Sequence, residues 1–318
     1  MIKKTLQCAA CVLMAIVVFF GAPNQAVCGQ EPELKFGVLP VLQALPLFVA
    51  QDKGMFRAHG VSVQLAPFNT ASEKDIALST GAIDGYFGDL VTPIVLKGNG
   101  RDVIIVAANY DTRSDRRMFA ILAKPGSHYK SLSDLADTPV AVSSNSVVHF
   151  LTETLLEQSG VPHEKISFFE AKNIGMRMQM LLSGQVEAAT LPEPLVTAAL
   201  AKGAKFLSDD AGLATSQTVL VFSGAFARAH PDLVKAFLKA VGEAAAFVNA
   251  SPDSVRSVMV EHVRLPEPLK QNYPTPRFPQ LAPPDKTALE TISKWLSERK
   301  VIPGPVEFGQ IVDGSFLQ

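Results

Sequence analysis

Hydrophobic and polar positions follow two different periods along this chain. Residues 61–66, VSVQLA, alternate at a period of two, which predicts a strand with one buried face. Residues 140–143 predict a second, buried strand, and a polar turn follows it. Apolar side chains then recur at helical spacing, at Val147, Phe150, Leu151, Thr154 and Leu155. This stripe predicts an amphipathic helix that Ser144 or Ser146 would cap and that Gly160 would end in the left-handed conformation.

The two patterns alternate along the chain in two successive sets. The first set predicts strands at residues 34–39, 61–66, 82–88 and 102–108, with helices between them. The second set predicts strands at residues 140–143, 166–171 and 186–191, and a further strand at residues 218–223 leads into a long helix. This order predicts two lobes, each a mostly parallel sheet covered by helices on both faces. Two extended crossings near residues 120 and 220 would join the lobes and leave a cleft between the carboxyl ends of their strands.

The first 29 residues differ from all that follows. Lys3 and Lys4 precede an apolar run at residues 9–22, which is shorter than the roughly 20 residues that a bilayer span needs. Small residues then offer a cleavage site, with Val27 and Gly29 at the positions that a signal peptidase favours. Residues 1–29 are therefore predicted to be a signal peptide, and the protein to be exported.

The cysteines agree with export, because Cys8, Cys11 and Cys28 all lie within the segment to be removed. A mature chain without cysteine excludes a structural disulfide, a thiolate metal site and a cysteine nucleophile. One alternative keeps Cys28 as a lipidated N-terminus, although residues 25–27 depart from a lipoprotein signal.

Charge and composition limit the classes of partner. The chain has 318 residues, of which 47% are hydrophobic and 19% charged, as in a soluble globular protein of two domains. Loss of two lysines with residues 1–29 moves the net charge from −1 to −3, which excludes nucleic-acid binding as the main task. The six histidines lack ligand spacing, so no metal site is expected. Arg113, Arg116 and Arg117 are more typical of a solvated surface run than of an anion site.

Six segments, in order, carry a resemblance to a known family. They are PLFVAQDKGMFRAHGVSVQL, LSTGAIDGYFGD, SLSDLADTPVAVSSNS, LLSGQVEAATLPEP, FARAHPDLVKAFLKAVGEAAAFVN and WLSERKVIPGPVEFGQIVDGSFL. Together they span almost the entire mature chain, which resembles the solute-binding proteins of ABC importers. The resemblance is to the family that includes sulfonate, taurine, nitrate and thiamine-precursor binders, with the type II periplasmic-binding-protein fold.

That resemblance implies a periplasmic, monomeric protein that traps a small organic molecule between two closing lobes. The molecule would pass to an ABC permease and its ATPase in the inner membrane, without a cofactor, a metal or any chemical change. Residues 30–120 and 221–318 would form the first lobe, and residues 121–220 the second.

The resemblance also places candidate ligand-binding residues at the ends of strands. They are Pro40, Gln43, Gly88, Asp89, Asn109, Tyr110, Ser143, Ser144, Asn145, Ser146 and Glu193. Some of these have structural alternatives: the serines and Asp89 could cap helices, and Tyr110 could line the hinge instead of stacking on a flat ligand. For Glu193, set between two prolines, a functional role is favoured.

Two ligand chemistries remain open at this stage. The start of the helix after Ser146 would suit an anion such as a sulfonate. Asp89 and Glu193 would instead suit a ligand with N–H donors, such as an aminopyrimidine, because a buried carboxylate needs a hydrogen-bonding partner. The second chemistry is favoured.

Two alternative functions share this fold. One is an enzyme of menaquinone or thiamine-precursor biosynthesis. The pyrimidine-forming enzymes carry a cysteine-rich motif that the mature chain lacks, and the export signal would separate the protein from cytoplasmic metabolites. The other is an exported ligand sensor that docks on a receptor kinase rather than on a permease.

Overall fold

The computed structural model describes residues 33–318 apart from positions 114 and 214. The predicted signal peptide and Cys28 lie outside the described residues. No helix within the described ranges combines the length and the apolar character needed to cross a bilayer.

The strands of this region form two five-stranded sheets. In chain order they are β1 (Leu34–Val38), β2 (Val63–Pro67), β3 (Gly85–Asp89), β4 (Val103–Asp111), β5 (Phe119–Ala123), β6 (Val140–Val142), β7 (Phe168–Glu170), β8 (Ala188–Pro192), β9 (Lys205–Asp209) and β10 (Gln217–Ser223).

The α-helices cover these sheets. They are α1 (Leu45–Asp52), α2 (Met55–Ala58), α3 (Ala71–Ser79), α4 (Val91–Gly98), α5 (Val147–Gln158), α6 (Ile174–Leu182), α7 (Leu195–Ala201), α8 (Gly224–Ala229), α9 (Pro231–Ala250), α10 (Arg256–His262), α11 (Lys286–Glu298) and α12 (Phe308–Ile311). Short 3₁₀ helices lie at Leu42–Ala44, Leu132–Leu135, His163–Lys165, Pro252–Val255, Glu267–Leu269 and Gly314–Leu317.

The two sheets have the same topology. The first has the strand order β2-β1-β3-β10-β4 and the second has β7-β6-β8-β5-β9. In each sheet one strand runs antiparallel to its neighbours: β10 against β3 and β4, and β5 against β8 and β9. Each sheet is thus mostly parallel, as the sequence predicts. The antiparallel strand is in both cases the one that follows a passage from the other sheet.

The structure adds detail that the sequence pattern does not contain. The chain passes between the sheets at residues 112–118 and 210–216, a few positions earlier than the expected crossings near 120 and 220. β9 has no counterpart among the predicted strands. Its residues Lys205 and Phe206 are exposed at the edge of the sheet, so its sequence lacks the apolar alternation that marks the other strands.

Capping residues begin the helices whose N-termini face the carboxyl ends of the strands. The Ser146 hydroxyl accepts a hydrogen bond from the Val148 N–H at 3.3 Å and caps α5, as one of the two predicted serines. Thr70 caps α3 and Asn173 caps α6 in the same way. Gly160 ends α5 with φ of +82°, as predicted.

Helix α5 is buried on more sides than its predicted stripe indicates. Thr154 is only half-buried, whereas Thr152 and Glu153, off the stripe, are fully buried. Glu153 is covered because α11 packs against this face: the Trp295 indole N–H donates to its carboxylate at 3.2 Å, and Arg299 also pairs with it. Trp295 meets the rings of His149 and Phe150 edge-on, at centroid distances of 5.1 and 5.4 Å.

Asp210 ties the two crossing segments together. Its side chain is completely buried, and Oδ1 accepts hydrogen bonds from the backbone N–H groups of Met118 at 2.9 Å and Phe119 at 3.0 Å. Nearby, the Thr112 hydroxyl in the first crossing donates to the Leu213 carbonyl oxygen in the second, at 2.8 Å. The two crossings therefore form one paired connection instead of two independent linkers.

The burial of Asp210 predicts a pH dependence of stability. Burial raises the pKa of this carboxyl to about 6, although the two N–H bonds oppose the rise. Because the folded-state pKa exceeds the unfolded value of about 4, the folded protein holds the proton more tightly. The contribution of this group to stability is greatest below pH 4 and decreases as pH rises to 6. At neutral pH the penalty is about 3 kcal/mol, from about 1.4 kcal/mol per pKa unit.

The substitution Asp210→Asn tests this, because the amide oxygen still accepts both N–H bonds but the side chain no longer ionises. We expect the difference in unfolding free energy, wild type minus variant, to fall between pH 4 and pH 7 by up to about 3 kcal/mol. Urea titrations across this pH range measure it, with Asp253→Asn, an exposed aspartate, as the control. A difference that stays flat with pH would refute the assignment.

Candidate functional site

A cavity of about 120 Å³ lies where the carboxyl ends of strands from both sheets meet. The first sheet contributes Leu39 and Val41 after β1 and residues 87–89 at the end of β3. The second sheet contributes Ser143 after β6 and Pro192 at the end of β8. The crossing strands add Met118, Phe119, Gln217 and Thr218. In sheets of this kind, ligands bind in the crevice outside the carboxyl ends of the strands.

Three helices present their N-termini to this cavity. Asn69, Thr70 and Ala71 start α3, Ser146 to Val148 start α5, and Ile174 starts α6, and all of them line it. The first N–H groups of a helix have no intrahelical partner, and the helix dipole adds a partial positive charge there. Each of the three helices has eight or more residues, so the effect is substantial at each terminus.

Asp89 caps a helix, which is one of the two roles that the sequence leaves open for it. Its Oδ1 accepts hydrogen bonds from the N–H groups of Val91 at 2.8 Å and Thr92 at 3.1 Å, at the start of α4. The residue also lines the cavity. Burial raises the pKa of the Asp89 carboxyl, and those N–H bonds and the nearby Lys74 ammonium oppose the rise.

A buried lysine lies directly behind the cavity wall. The Lys74 side chain is fully buried, with Nζ 3.2 Å from the Asp75 carboxylate and 3.2 Å from the centroid of the Tyr86 ring. A Cβ at Gly88 would lie 3.1 Å from this Nζ and 3.0 Å from the Tyr86 ring, so glycine leaves the room that the ammonium occupies. Burial lowers the pKa of Lys74, and Asp75 and Asp89 oppose this.

Arg177 is a second buried cation, and this one lines the cavity itself. Only 1% of the residue is exposed. Its Nε donates to the Ala171 carbonyl oxygen at 2.9 Å and its Nη1 to the Thr190 carbonyl oxygen at 2.9 Å, which fixes the guanidinium between the ends of β7 and β8. Burial lowers the pKa of Arg177 to about 10, and Glu170 opposes the fall. The side chain therefore stays charged at neutral pH.

Glu193 lies in a different cavity, of about 440 Å³, beside the crossing segments. Its Oε1 accepts a hydrogen bond from Arg117 Nε at 2.9 Å. Its Oε2 accepts from the Thr197 hydroxyl at 2.8 Å and from the Tyr273 hydroxyl at 3.0 Å. Since β8 leads into Glu193 while the Tyr273 ring belongs to the core beneath β1, this carboxylate connects the two lobes.

The arginine run is more than a solvated surface segment. Arg117 pairs with Glu193, and Arg116 pairs with Asp111 at 2.6 Å while its guanidinium lies 4.7 Å from the centre of the Tyr110 ring. These acids and this ring come from strand ends that the crossing brings together, which the spacing of the arginines does not reveal.

The structure brings five of the predicted site residues to the first cavity. They are Gln43, Gly88, Asp89, Ser143 and Ser146. Tyr110 and Glu193 line the second cavity, which Gln43 also borders.

Four predicted residues line neither of these cavities. The Asn109 amide is engaged internally, donating to the Gln43 carbonyl oxygen at 3.0 Å and accepting from the Thr218 hydroxyl at 3.0 Å. Ser144 donates its N–H to the exposed Glu170 carboxylate at 2.9 Å. Asn145 has φ of +56° and donates its N–H to His149. The Pro40 carbonyl oxygen accepts from the Arg264 N–H at 3.2 Å.

Several polar residues of the first cavity are absent from the sequence prediction. They are Asn69, Thr70, Lys172, Arg177, Gln217 and Thr218. For Arg177 a signal exists, because the residue shares a helix face with Ile174 and Leu181, at i−3 and i+4. A charge on the apolar face of an amphipathic helix is a candidate for a buried functional group.

Comparison with known proteins agrees with this architecture. A family model described as NMT1/THI5 like matches residues 42–255. A protein of Brucella abortus (strain 2308), named as a candidate binding protein, is 22% identical over 227 residues, which cover 68% of this chain and 67% of that protein.

Two solved structures share the fold. The periplasmic aliphatic sulphonate binding protein SsuA from Escherichia coli has a TM-score of 0.75 at 19% identity, covering 87% of this chain and 91% of that one. The periplasmic nitrate-binding protein NrtA from Synechocystis PCC 6803 has a TM-score of 0.74 at 15% identity, covering 89% and 86%. These likenesses confirm the predicted two-lobe, type II periplasmic-binding-protein fold.

The contact between Tyr273 and Glu193 predicts a measurable stabilisation across the lobes. Tyr273→Phe keeps the buried ring and removes one hydrogen bond to a carboxylate, so we expect the free energy of unfolding to fall by about 2 kcal/mol. Tyr129→Phe is the matched control, because the Tyr129 hydroxyl has only a long, 3.4 Å contact with the neutral Thr138 hydroxyl. Chemical denaturation compares the two variants, and equal losses would contradict a special role for the carboxylate contact.

Proposed function

Because this chain belongs to the NMT1/THI5-like family, we propose that it is an extracytoplasmic solute-binding protein that delivers a small organic molecule to an ABC-type importer. The observation that carries the proposal is the first cavity, whose walls come from the strand ends of both sheets. A molecule in that position contacts both lobes at once. Such a molecule favours the closed arrangement through contacts that exist only when the lobes are together.

The fold supports a hinge at the paired crossings. The chain passes between the sheets at residues 112–118 and 210–216, and Asp210 holds the two passages side by side. A few residues at the ends of elements absorb most of a hinge rotation. We therefore divide the mature chain a few residues after each passage, with residues 30–120 and 221–318 in one lobe and residues 121–220 in the other. These boundaries fall within β5 and β10, the strands that follow the two passages.

The energetics of capture are modest. Micromolar binding corresponds to about −8 kcal/mol, which a few buried hydrogen bonds and an apolar slot supply. The cavity offers both, since its polar helix starts face apolar side chains such as Phe87, Met118 and Val148. The bound molecule leaves unchanged, and a permease with its ATPase in the inner membrane receives it. The predicted signal peptide and the periplasmic binding proteins of the same fold support a periplasmic location. A monomeric protein is part of the same proposal.

A ligand screen by thermal unfolding tests the function. Any molecule that binds only the folded protein raises its stability, by about 2.7 kcal/mol at a concentration 100 times Kd. We expect one class of small organic solute to raise the unfolding temperature in a concentration-dependent way and to be recovered intact. Recovery of a chemically altered compound would contradict the proposal and indicate that the protein is an enzyme. Docking on a receptor kinase instead of a permease would indicate that it is an exported ligand sensor.

The cavity is tested by a substitution that fills it. Ala71 lines the cavity at the start of α3, so Ala71→Phe places a ring where the ligand would lie. We expect the affinity for the screened solute to fall at least tenfold, measured by isothermal titration. Ala82→Phe, at an exposed position outside the cavity, is the control and should bind as the wild type does. Equal affinities in all three proteins would place the ligand elsewhere.

A further inference from the structure

We propose that the ligand of the first cavity carries an ionised acidic group, a carboxylate or a sulfonate, and that the Arg177 guanidinium binds it. The inference rests on the proposed function and adds the chemical class of the solute. It starts from a cation that is almost completely buried and lines the cavity.

Among the described residues, no carboxylate lies at ion-pair distance from the Arg177 guanidinium, and Glu170 acts on its charge only from further away. Both of its hydrogen bonds go to carbonyl oxygens, those of Ala171 and Thr190. Within the described part of the chain, no carboxylate forms an ion pair with the guanidinium and no residue accepts a hydrogen bond from Nη2. A buried charge is costly unless it is paired, and the planar guanidinium suits bidentate pairing with an oxyanion. The missing partner is therefore supplied from the cavity side.

The acids of the neighbourhood are engaged elsewhere. Glu170 accepts hydrogen bonds from the N–H and the hydroxyl of Ser144 and is exposed. The Asp89 carboxylate caps α4 and faces the buried Lys74 ammonium. Glu193 lies in the second cavity, paired with Arg117. The charge of Glu170 raises the pKa of Arg177, but none of these three carboxylates forms an ion pair with the guanidinium.

The surrounding electrostatics favour an anion as well. The N-termini of α3, α5 and α6 all border the cavity, and each is the positive end of a helix dipole. Lys172 adds a second cationic side chain to the lining. Four positive contributions thus surround the space that Arg177 borders. One acid, Asp89, opposes them from the first lobe.

The rest of the cavity lining indicates that the ligand has an apolar part besides its charged group. Apolar side chains make up much of the wall: Leu39, Val41, Phe87, Met118, Phe119, Val147, Val148, Ile174 and Pro192. A hydrated inorganic ion would leave these surfaces without contacts, whereas an organic anion covers them with its hydrocarbon part. The expectation of a ligand with N–H donors rested on two carboxylates, Asp89 and Glu193. Only Asp89 lines this cavity, so the support for that expectation is weaker.

Matched pairs of compounds test the charge. Isothermal titration of the full-length mature protein would compare small organic acids with their own amides, for example hexanoate with hexanamide and benzenesulfonate with benzenesulfonamide. We expect an acid to bind at least tenfold more tightly than its amide. Nitrate and sulfate serve as inorganic probes. Tightest binding by a neutral or purely cationic solute, or by the inorganic ions, overturns the inference.

Variants then test the residue. Arg177→Met removes the charge at similar length, and we expect the affinity for the acid to fall about 100-fold. Arg177→Lys keeps the charge without the planar fork and should lose about tenfold. Lys202→Met, at an exposed lysine that lines neither cavity, is the control and should stay within about threefold of wild type, since a solvated charge contributes little. A folded Arg177→Met protein that binds the acid as wild type does overturns the assignment.

The inference and the proposed function fail in different ways. If Arg177→Met does not fold, the comparison of acid and amide on the wild-type protein still decides the charge. Tight binding of a neutral solute would agree with the solute-binding function and contradict only the proposal that the ligand is an anion. If no solute of any charge binds, both proposals are overturned.

Discussion

The position of the cleft depends on one constraint in the path of the chain: each sheet is completed by a strand that arrives from the other side. β10 enters the first sheet after the chain leaves the second, and β5 enters the second after the chain leaves the first. The two passages must therefore lie side by side, and Asp210 binds one to the other. Because both passages are short, the carboxyl ends of the two sheets have to face each other. The location of the cavity is therefore a consequence of the backbone topology and does not depend on which side chains line it.

Local patterns were sufficient to predict most of the fold. Period-two and helical spacing predicted most strands of both sheets, the start of α5 at one of two serines and its end at Gly160, because those features depend on neighbouring residues. β9 was missed because an edge strand does not need an apolar face. The burial of Glu153 was also missed, since its cover is α11, more than a hundred residues further along the chain.

For the candidate site, the sequence could predict where some of the residues lie but not which side chains they contact. Gly88, Asp89 and Ser146 follow strands and could be found from strand ends, but their side-chain partners could not. Lys74 resembles a surface residue of a short polar helix until β3 places Tyr86 and Asp89 against it. Likewise, Glu193 was expected to face a ligand but meets Arg117, Thr197 and Tyr273, three residues from distant parts of the chain. Pairing of charges depends on tertiary contacts, which a linear pattern does not contain.

The contact between α11 and α5 gives the protein an intrinsic optical probe. Trp295 is the one tryptophan of the chain, and it lies edge-on to His149 and Phe150, within two turns of the helix start that borders the cavity. Indole emission is sensitive to an adjacent imidazolium, but burial lowers the pKa of His149 to about 4, with the Arg299 charge adding to the fall. The imidazole is consequently neutral at physiological pH. Emission changes at physiological pH would therefore report displacement of α5 against α11, without a dye or an engineered label.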